Sequence, residues 1–426
     1  MKTLHWITAA AGLAAFGVML NADGTKIANL VSGKGAFIDA KELKPGTFRK
    51  ITASDLPKPF DTDSNRNTKL ADRPNGAVPG APQGFKVELF MEGLKNPRQI
   101  RMAPNGDFFL TETNAGELKV IRTANGKPQQ VETFATGLKG VFGINFYPPG
   151  PNPQWVYAGN TASVVRFPYK NGDMKSSGPA QVIIPELPTG GHSTRDIVFS
   201  KDAKQMLVAV GSGSNVDDPD THPGEKNRAD ILEYTPEGKF VRVYAAGIRN
   251  PVGLGVNPIT GEVWCSVNER DALGDNLVPD YITHVEPGAF YGWPWYYIGG
   301  HQDPRHEGKH PELKDKVTVP DILVGPHQAS LGLTFYDGTQ FPAEYRGDLF
   351  AAEHGSWNRA NPSGHEVVRV PLEKGHPSGV FEDFLTFSGP DGAWGRPVGV
   401  VTGKDGSLYV TDDGTKIIWR VSYVGK

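Results

Sequence analysis

The chain holds one cysteine among its 426 residues, so no internal disulfide can staple the fold. Cys265 lies in the apolar stretch "VWCSV" and is expected to pack as a small hydrophobe. An excess of basic charge is also lacking. Lys and Arg number 44 against 47 Asp and Glu, a formal charge of −3, which leaves no positive field to recruit DNA or RNA. Long apolar runs are missing except at the start, where Lys2 and His5 lead into residues 6–20 of "MKTLHWITAAAGLAAFGVML". That run has the charge order of a secretory signal and is short for a membrane span. Residues 1–22 are therefore read as a signal peptide or, if uncleaved, an N-terminal anchor. The expected location is periplasmic or secreted, with membrane contact only if the leader is retained. No G-x-S-x-G or H-E-x-x-H occurs, and "GSGSN" (residues 211–215) lacks the lysine of a phosphate loop. Serine hydrolase, zinc protease and P-loop chemistry thus lack support.

No long amphipathic helical pattern is present either, while Gly (52) and Pro (35) are plentiful. Short strands joined by turns are the expectation. Residues 23–83, with text such as "DTDSNRNTKLADRPNGAVPGAP", show little apolar periodicity and read as an N-terminal extension or linker. From residue 84 onward one pattern recurs: an apolar strand, a Pro- or Asp/Asn-Gly-containing turn, then a second apolar strand. Its instances are "RQIRMAPNGDFFLTET", "FGINFYPPGPNPQWVYAG", "RDIVFSKDAKQMLVAVG", "PVGLGVNPITGEVWCSV", "LGLTFYDGTQ…GDLFAAEHG" and "PVGVVTGKDGSLYVTDD". They recur at roughly 45 to 80 residues, near or above propeller-blade lengths. Segments such as "ELKVIRT", "HEVVRVPLEKG" and "KIIWRVSY" would complete each unit. Residues 84–426 are therefore expected to form an all-β, six-bladed β-propeller of four-stranded antiparallel blades.

In such a ring, loops at equivalent places converge on the central channel. Ahead of the turn strands stand "GGHSTRD", "GIRNPVG", "GPHQASLG" and "WGRPVG", which places His192, Arg249, Asn250, His327 and Arg396 in comparable loops. A neutral imidazole beside fixed cations suits an anionic cofactor or substrate next to a proton acceptor. Taken singly, each of these residues serves equally well as a loop cap. The triplet His301, His306 and His310 matches no zinc spacing and reads as a solvated loop. Aromatics in "FYGWPWYYIGG" (residues 290–300) suit either a sugar wall or blade packing.

The series "GGH", "GIRNPVGL", "VNERDALGDNLVPDYITHV", "GAFYGWP", "LGLTFY", "HGSWNR" and "GRPVGVV" resembles the glucose/sorbosone dehydrogenase family, six-bladed propellers that use pyrroloquinoline quinone (PQQ) and Ca²⁺. The likeness is strongest to the sorbosone dehydrogenase branch. The resemblance implies that His192 is the general base for a sugar hydroxyl and that Arg249, with Asn250, faces the quinone oxygen. It implies that Arg396 holds a PQQ carboxylate. His354, with Arg359 as the alternative, falls where the family has a PQQ-contacting lysine. Backbone carbonyls of Arg270 and Asp271 would bind Ca²⁺, with Asp275 in support. The sequence departs from the soluble glucose dehydrogenases at several of these places. Arg270-Asp271 replaces Gly-Pro, Gly191 replaces an aspartate, and Gly140 stands where an early glutamine belongs.

The resemblance further implies an aldose or aldehyde as substrate and a periplasmic electron acceptor, cytochrome c or quinone. Two other functions suit the same fold. A metal-dependent lactonase would need Glu, Asn and Asp ligands on the axis, where this chain offers Arg and His. A non-catalytic propeller binding carbohydrate or protein is the other.

Overall fold

A computed structural model describes residues 29–425; the expected leader lies outside the described residues. The six recurring sequence units become the two inner strands of six antiparallel blades. The innermost strands are Pro97–Met102, Gly143–Tyr147, Ile197–Phe199, Pro251–Val256, Ser330–Phe335 and Pro397–Thr402. No α-helix occurs among the described residues. The turns work as the sequence suggests: in "PNGD" and "KDGS", Gly106 and Gly406 take φ of +98° and +75°, a region open to glycine at little cost. Second strands such as Phe108–Glu112 and Leu349–Glu353 are buried along their whole length. Both faces pack against neighbouring blades, so these strands lack the alternation of a half-exposed sheet.

Inner strands approach closely around the axis. A Cβ at Gly143 would come within 2.3 Å of the Arg195 carbonyl oxygen, and one at Gly253 within 2.2 Å of that of Leu331. Glycine is required there because the next blade's backbone occupies the space. The corresponding places in the first and third blades carry Gln99 and Asp196, which meet at 3.0 Å. Asp196 also accepts from Arg101 at 3.0 Å and from the Leu254 amide at 2.9 Å. These polar groups, with buried Phe142, Val252, Leu331 and Val398, obstruct the channel and give its upper end a floor.

The ring is closed by Phe85–Met91, which pairs antiparallel with the last strand, Ile417–Tyr423, as the outer strand of the sixth blade. The N-terminal extension is docked onto the propeller. Leu30–Ser32 and Phe48–Lys50 add to the fifth blade, which becomes a six-stranded sheet. Arg49 carries this attachment inward: fully buried, it pairs with Asp383 at 2.6 Å and Glu366 at 2.5 Å. The single cysteine, Cys265, is buried and free in the core.

Candidate functional site

Loops at one end of the blades enclose a cavity of about 330 Å³ lined by His192, Arg249, Asn250, Asp271, His354 and Arg396, among others. Residues from the third to sixth blades are thus brought together as equivalent loop positions require.

His192 is half-buried at this cavity. Its Nδ1 lies 3.0 Å from the Ser212 carbonyl oxygen. A carbonyl can only accept, so the proton sits on Nδ1 and Nε2 carries the lone pair. Burial first, and the Arg249 charge second, push the imidazole down to about 3. It therefore stands neutral.

Arg249 is fixed on all sides. Its Nε donates to the Asn215 carbonyl at 3.1 Å, and its terminal nitrogens reach Asn215 Oδ1 at 3.0 Å, the Glu269 carbonyl at 2.5 Å and Asp271 Oδ2 at 2.8 Å. Burial works against ionisation of Asp271, yet Arg249 and His327 hold its carboxyl below the usual range. Asn250 donates to Asn268 Oδ1 at 3.0 Å, while its own Oδ1 is buried without a donor.

Across the cavity, Arg396 donates to His354 Nδ1 at 2.9 Å, His354 Nε2 lies 2.8 Å from Asp413 Oδ1, and Arg98 reaches Asp413 Oδ2 at 2.6 Å. Burial drives the His354 imidazole down to about 4 against the pull of Asp413. Despite burial, His354 and Arg98 keep the Asp413 carboxyl well below its ordinary range. Among the described residues, Arg98 commits only one terminal nitrogen to a hydrogen bond and Arg396 leaves its NH1 uncommitted. Three guanidiniums thus face two firmly ionised carboxylates. Burial lifts Glu269 to about 8 and Asp280 to about 7, so they offset the positive excess only in part. An anionic ligand with several oxygens fits these donors. PQQ, a polycarboxylate, meets that requirement.

Arg98 escaped the sequence reading because Pro97-Arg98 holds the strand-start position that Pro251-Val252 and Pro397-Val398 fill with apolar residues. Trp357, which also lines the cavity, escaped as well. Two predicted residues stand elsewhere. Arg359 reaches Asp39 Oδ1 at 3.3 Å and Asn276 Oδ1 at 3.1 Å, and Asp275 accepts from Asn65 and the Ala360 amide. Both hold the N-terminal extension rather than lining the cavity. The aromatic run behind the site is mostly buried, and Trp293 Nε1 donates to the Asn215 carbonyl at 2.9 Å. It braces the residue that braces Arg249. His306, expected in a solvated loop, is buried and bonds the Val216 carbonyl at 2.7 Å.

Calcium does not fit its expected ligands. The Asp271 carbonyl accepts from Asn215 Nδ2 at 3.0 Å and from the Arg270 guanidinium. The Arg270 carbonyl faces the Val278 amide at 3.4 Å. An oxygen already receiving a guanidinium is a poor ligand for a second cation.

Comparison with known proteins places the fold and the family. The sequence profile of the TrAA12-like family matches residues 79–289 and 301–424. An uncharacterized protein of Borreliella burgdorferi is 31% identical over 356 residues, covering 80% of this chain and 90% of that one. The aldose sugar dehydrogenase YliI of Escherichia coli is 24% identical over 383 residues, covering 82% and 95%. The holo form of the pyranose dehydrogenase PQQ domain of Coprinopsis cinerea superposes with a TM-score of 0.67 at 22% identity, over 81% of this chain and 97% of that one. That likeness shows the six-bladed fold. The matched profile spans most of the propeller, and the chain belongs to the TrAA12-like family.

Proposed function

We propose that the protein is a PQQ-dependent dehydrogenase of aldose sugars or related aldehydes, sorbosone-like compounds included. The observation that carries this reading is a neutral imidazole, its lone pair fixed on Nε2, in one cavity with guanidiniums that retain free donors. PQQ bound there would supply the acceptor for a hydride, which carries both electrons of the oxidation. His192 Nε2 takes the proton from the reacting hydroxyl, and the Ser212 carbonyl steadies the imidazolium through Nδ1–H. Arg98 and Arg396 hold carboxylate oxygens. Arg249, immobilised by Asn215 and Asp271, presents a fixed positive charge where negative charge develops, the arrangement that minimises reorganisation. The curated relative from E. coli is named an aldose sugar dehydrogenase, and that of C. cinerea a PQQ-dependent pyranose dehydrogenase. The chain spans 55% of the latter's length.

Trp357 gives the sugar a platform. It is 42% exposed, lines the cavity, and carries the Arg66 guanidinium 5.9 Å from a ring centroid. Its carbonyl accepts from the Asn67 amide at 2.8 Å, so the extension fixes this loop. Trp357→Ala is expected to raise KM for sugars about five- to tenfold, the size of a stacking contact near 1 kcal/mol. PQQ affinity, measured by fluorescence titration, should not change. Arg98→Ala and Arg396→Ala should each weaken PQQ binding about tenfold or more, since a charged hydrogen bond contributes about 1.5–3 kcal/mol. Equal affinity in both variants would move the carboxylate contacts elsewhere.

The apolar run of residues 6–20, read as a leader, supports export and with it a periplasmic electron acceptor, cytochrome c or quinone, as part of the same proposal. Reconstitution tests the whole: purified protein is incubated with PQQ and assayed for dye reduction with a panel of aldoses and aldehydes. Tight PQQ binding without turnover would favour a binding role. No PQQ binding in any buffer would remove the dehydrogenase reading.

A further inference from the structure

The loop of residues 269–271 is held entirely by protein groups. Arg270 is 6% exposed and Asp303 2%. The guanidinium meets that carboxylate through two nitrogens, Nε to Oδ2 at 2.6 Å and NH2 to Oδ1 at 3.3 Å. Its remaining terminal nitrogen, NH1, donates to the Asp271 carbonyl. Asn215 closes the same turn from the other side: its Nδ2 donates to that carbonyl at 3.0 Å, and its Oδ1 accepts from the Asp271 amide at 3.0 Å. Asn358 Oδ1 then takes the Ala272 amide at 2.7 Å. A buried carboxylate fixes the guanidinium, and the fixed guanidinium fixes the carbonyl.

We propose that Arg270 is an internal cation that does for the Asp271 carbonyl what Ca²⁺ would do, so that this site assembles and binds its cofactor without a divalent ion. The inference rests on the PQQ reading for its second half only. Its physical basis is charge and geometry: a planar fork anchored on one carboxylate presents its outer N–H to a single oxygen, and no rearrangement is needed when the cofactor arrives. A glycine at this position, as in the soluble glucose dehydrogenases that the sequence resembles, could offer no such charge. Arg270 is thus a positioning residue: it acts on the Asp271 backbone, whose side chain in turn holds Arg249.

Two measurements on the full chain, after exhaustive chelation, test the proposal. Calorimetric titration of the cofactor-free protein with CaCl₂ is expected to show no saturable heat, and Ca²⁺ is expected to leave the melting temperature unchanged. Stoichiometric Ca²⁺ binding to the cofactor-free protein, with a matching rise in melting temperature, would overturn it. PQQ fluorescence titrations with chelator and with Ca²⁺ should give the same dissociation constant. A tenfold or greater loss in chelator, restored by Ca²⁺, would also overturn it. Arg270→Gly is expected to bind PQQ about tenfold more weakly in chelator and to recover with Ca²⁺, a tenfold change being about 1.4 kcal/mol. If that variant binds PQQ in chelator as tightly as the parent, the internal cation contributes nothing and the proposal fails. The calcium titration of the unaltered protein decides the question even if Arg270→Gly does not fold. Absence of PQQ binding in both buffers would defeat the dehydrogenase reading while leaving the calcium result to stand on its own.

Discussion

His192→Ala should retain PQQ and lose about 10²- to 10⁴-fold in kcat, the usual contribution of a positioned general base. Alanine removes Nε2 but neither Arg98, Arg396 nor the bonds that hold Arg249, so cofactor affinity should survive. The loss should fall on kcat and kcat/KM together, because the proton is shared only as the reaction proceeds. His192→Gln keeps an amide near the Ser212 carbonyl yet cannot accept a proton at useful pH, and is expected to be as slow as alanine. Stopped-flow reduction of the loaded enzyme checks this. Unchanged rates would show that another group takes the proton. The cofactor-free protein offers an independent reading: with the imidazole pushed down to about 3, the His192 ring resonances should show no titration between pH 5 and 8. A transition near 6.5, the ordinary value for histidine, would contradict the burial argument.

The second large effect is on stability. Arg49→Met is expected to cost about 3–5 kcal/mol, as when one member of a buried ion pair is removed. Arg49 comes from outside the propeller proper, and its guanidinium lies between Glu366 and Asp383 and 4.5 Å from the ring centroid of Phe381. Glu353 stands directly across from Glu366 in the sheet register. Burial pushes Glu353 to about 8 and Glu366 well above the carboxylate range, and Arg49 opposes that rise. A carboxyl whose folded pKa is raised contributes fully below its unfolded value and loses that contribution as pH climbs through the folded one. Glu353 therefore favours the folded state least above about pH 8. Without Arg49 these acids rise further, so the deficit should widen as pH increases and narrow toward acid. Urea denaturation midpoints at two pH values measure it. A deficit independent of pH would mean that packing over Phe381, rather than charge, holds the strand.

Much of the fold was legible because each inner hairpin repeats the same physical problem. A strand packed on both faces needs apolar residues throughout, and the tight turn beside it needs Gly with Asn or Asp, as in "PNGD" and "KDGS". His192, Arg249, Asn250, His327 and Arg396 could be grouped because position in the repeat stands in for proximity, and all five line the cavity. Arg98 was not legible in that way, because aligning Pro97 with Pro251 and Pro397 puts Arg98 level with the apolar Val252 and Val398. Attachment of the extension was not legible. The partners of Arg49 lie 317 and 334 residues away, and no local pattern encodes such a pairing. Arg359 and Asp275 were misplaced for the same reason: both face a segment whose path the repeat does not fix. The carbonyls of Arg270 and Asp271 were legible as a loop but not as occupied, because a backbone oxygen's partners are invisible in a string of residue types.

Closure by Phe85–Met91 on Ile417–Tyr423 sets when the molecule can become whole. Glu88 and Arg420, paired in that sheet, are separated by 332 positions, so a ribosome must release the strand Ile417–Tyr423 before the last seam can form. Until then the sixth blade lacks its outer edge, although Phe85–Met91 has long been made. Pairing at such separation is slow. A propeller sewn by its last strand stays an open ring until that strand leaves the ribosome.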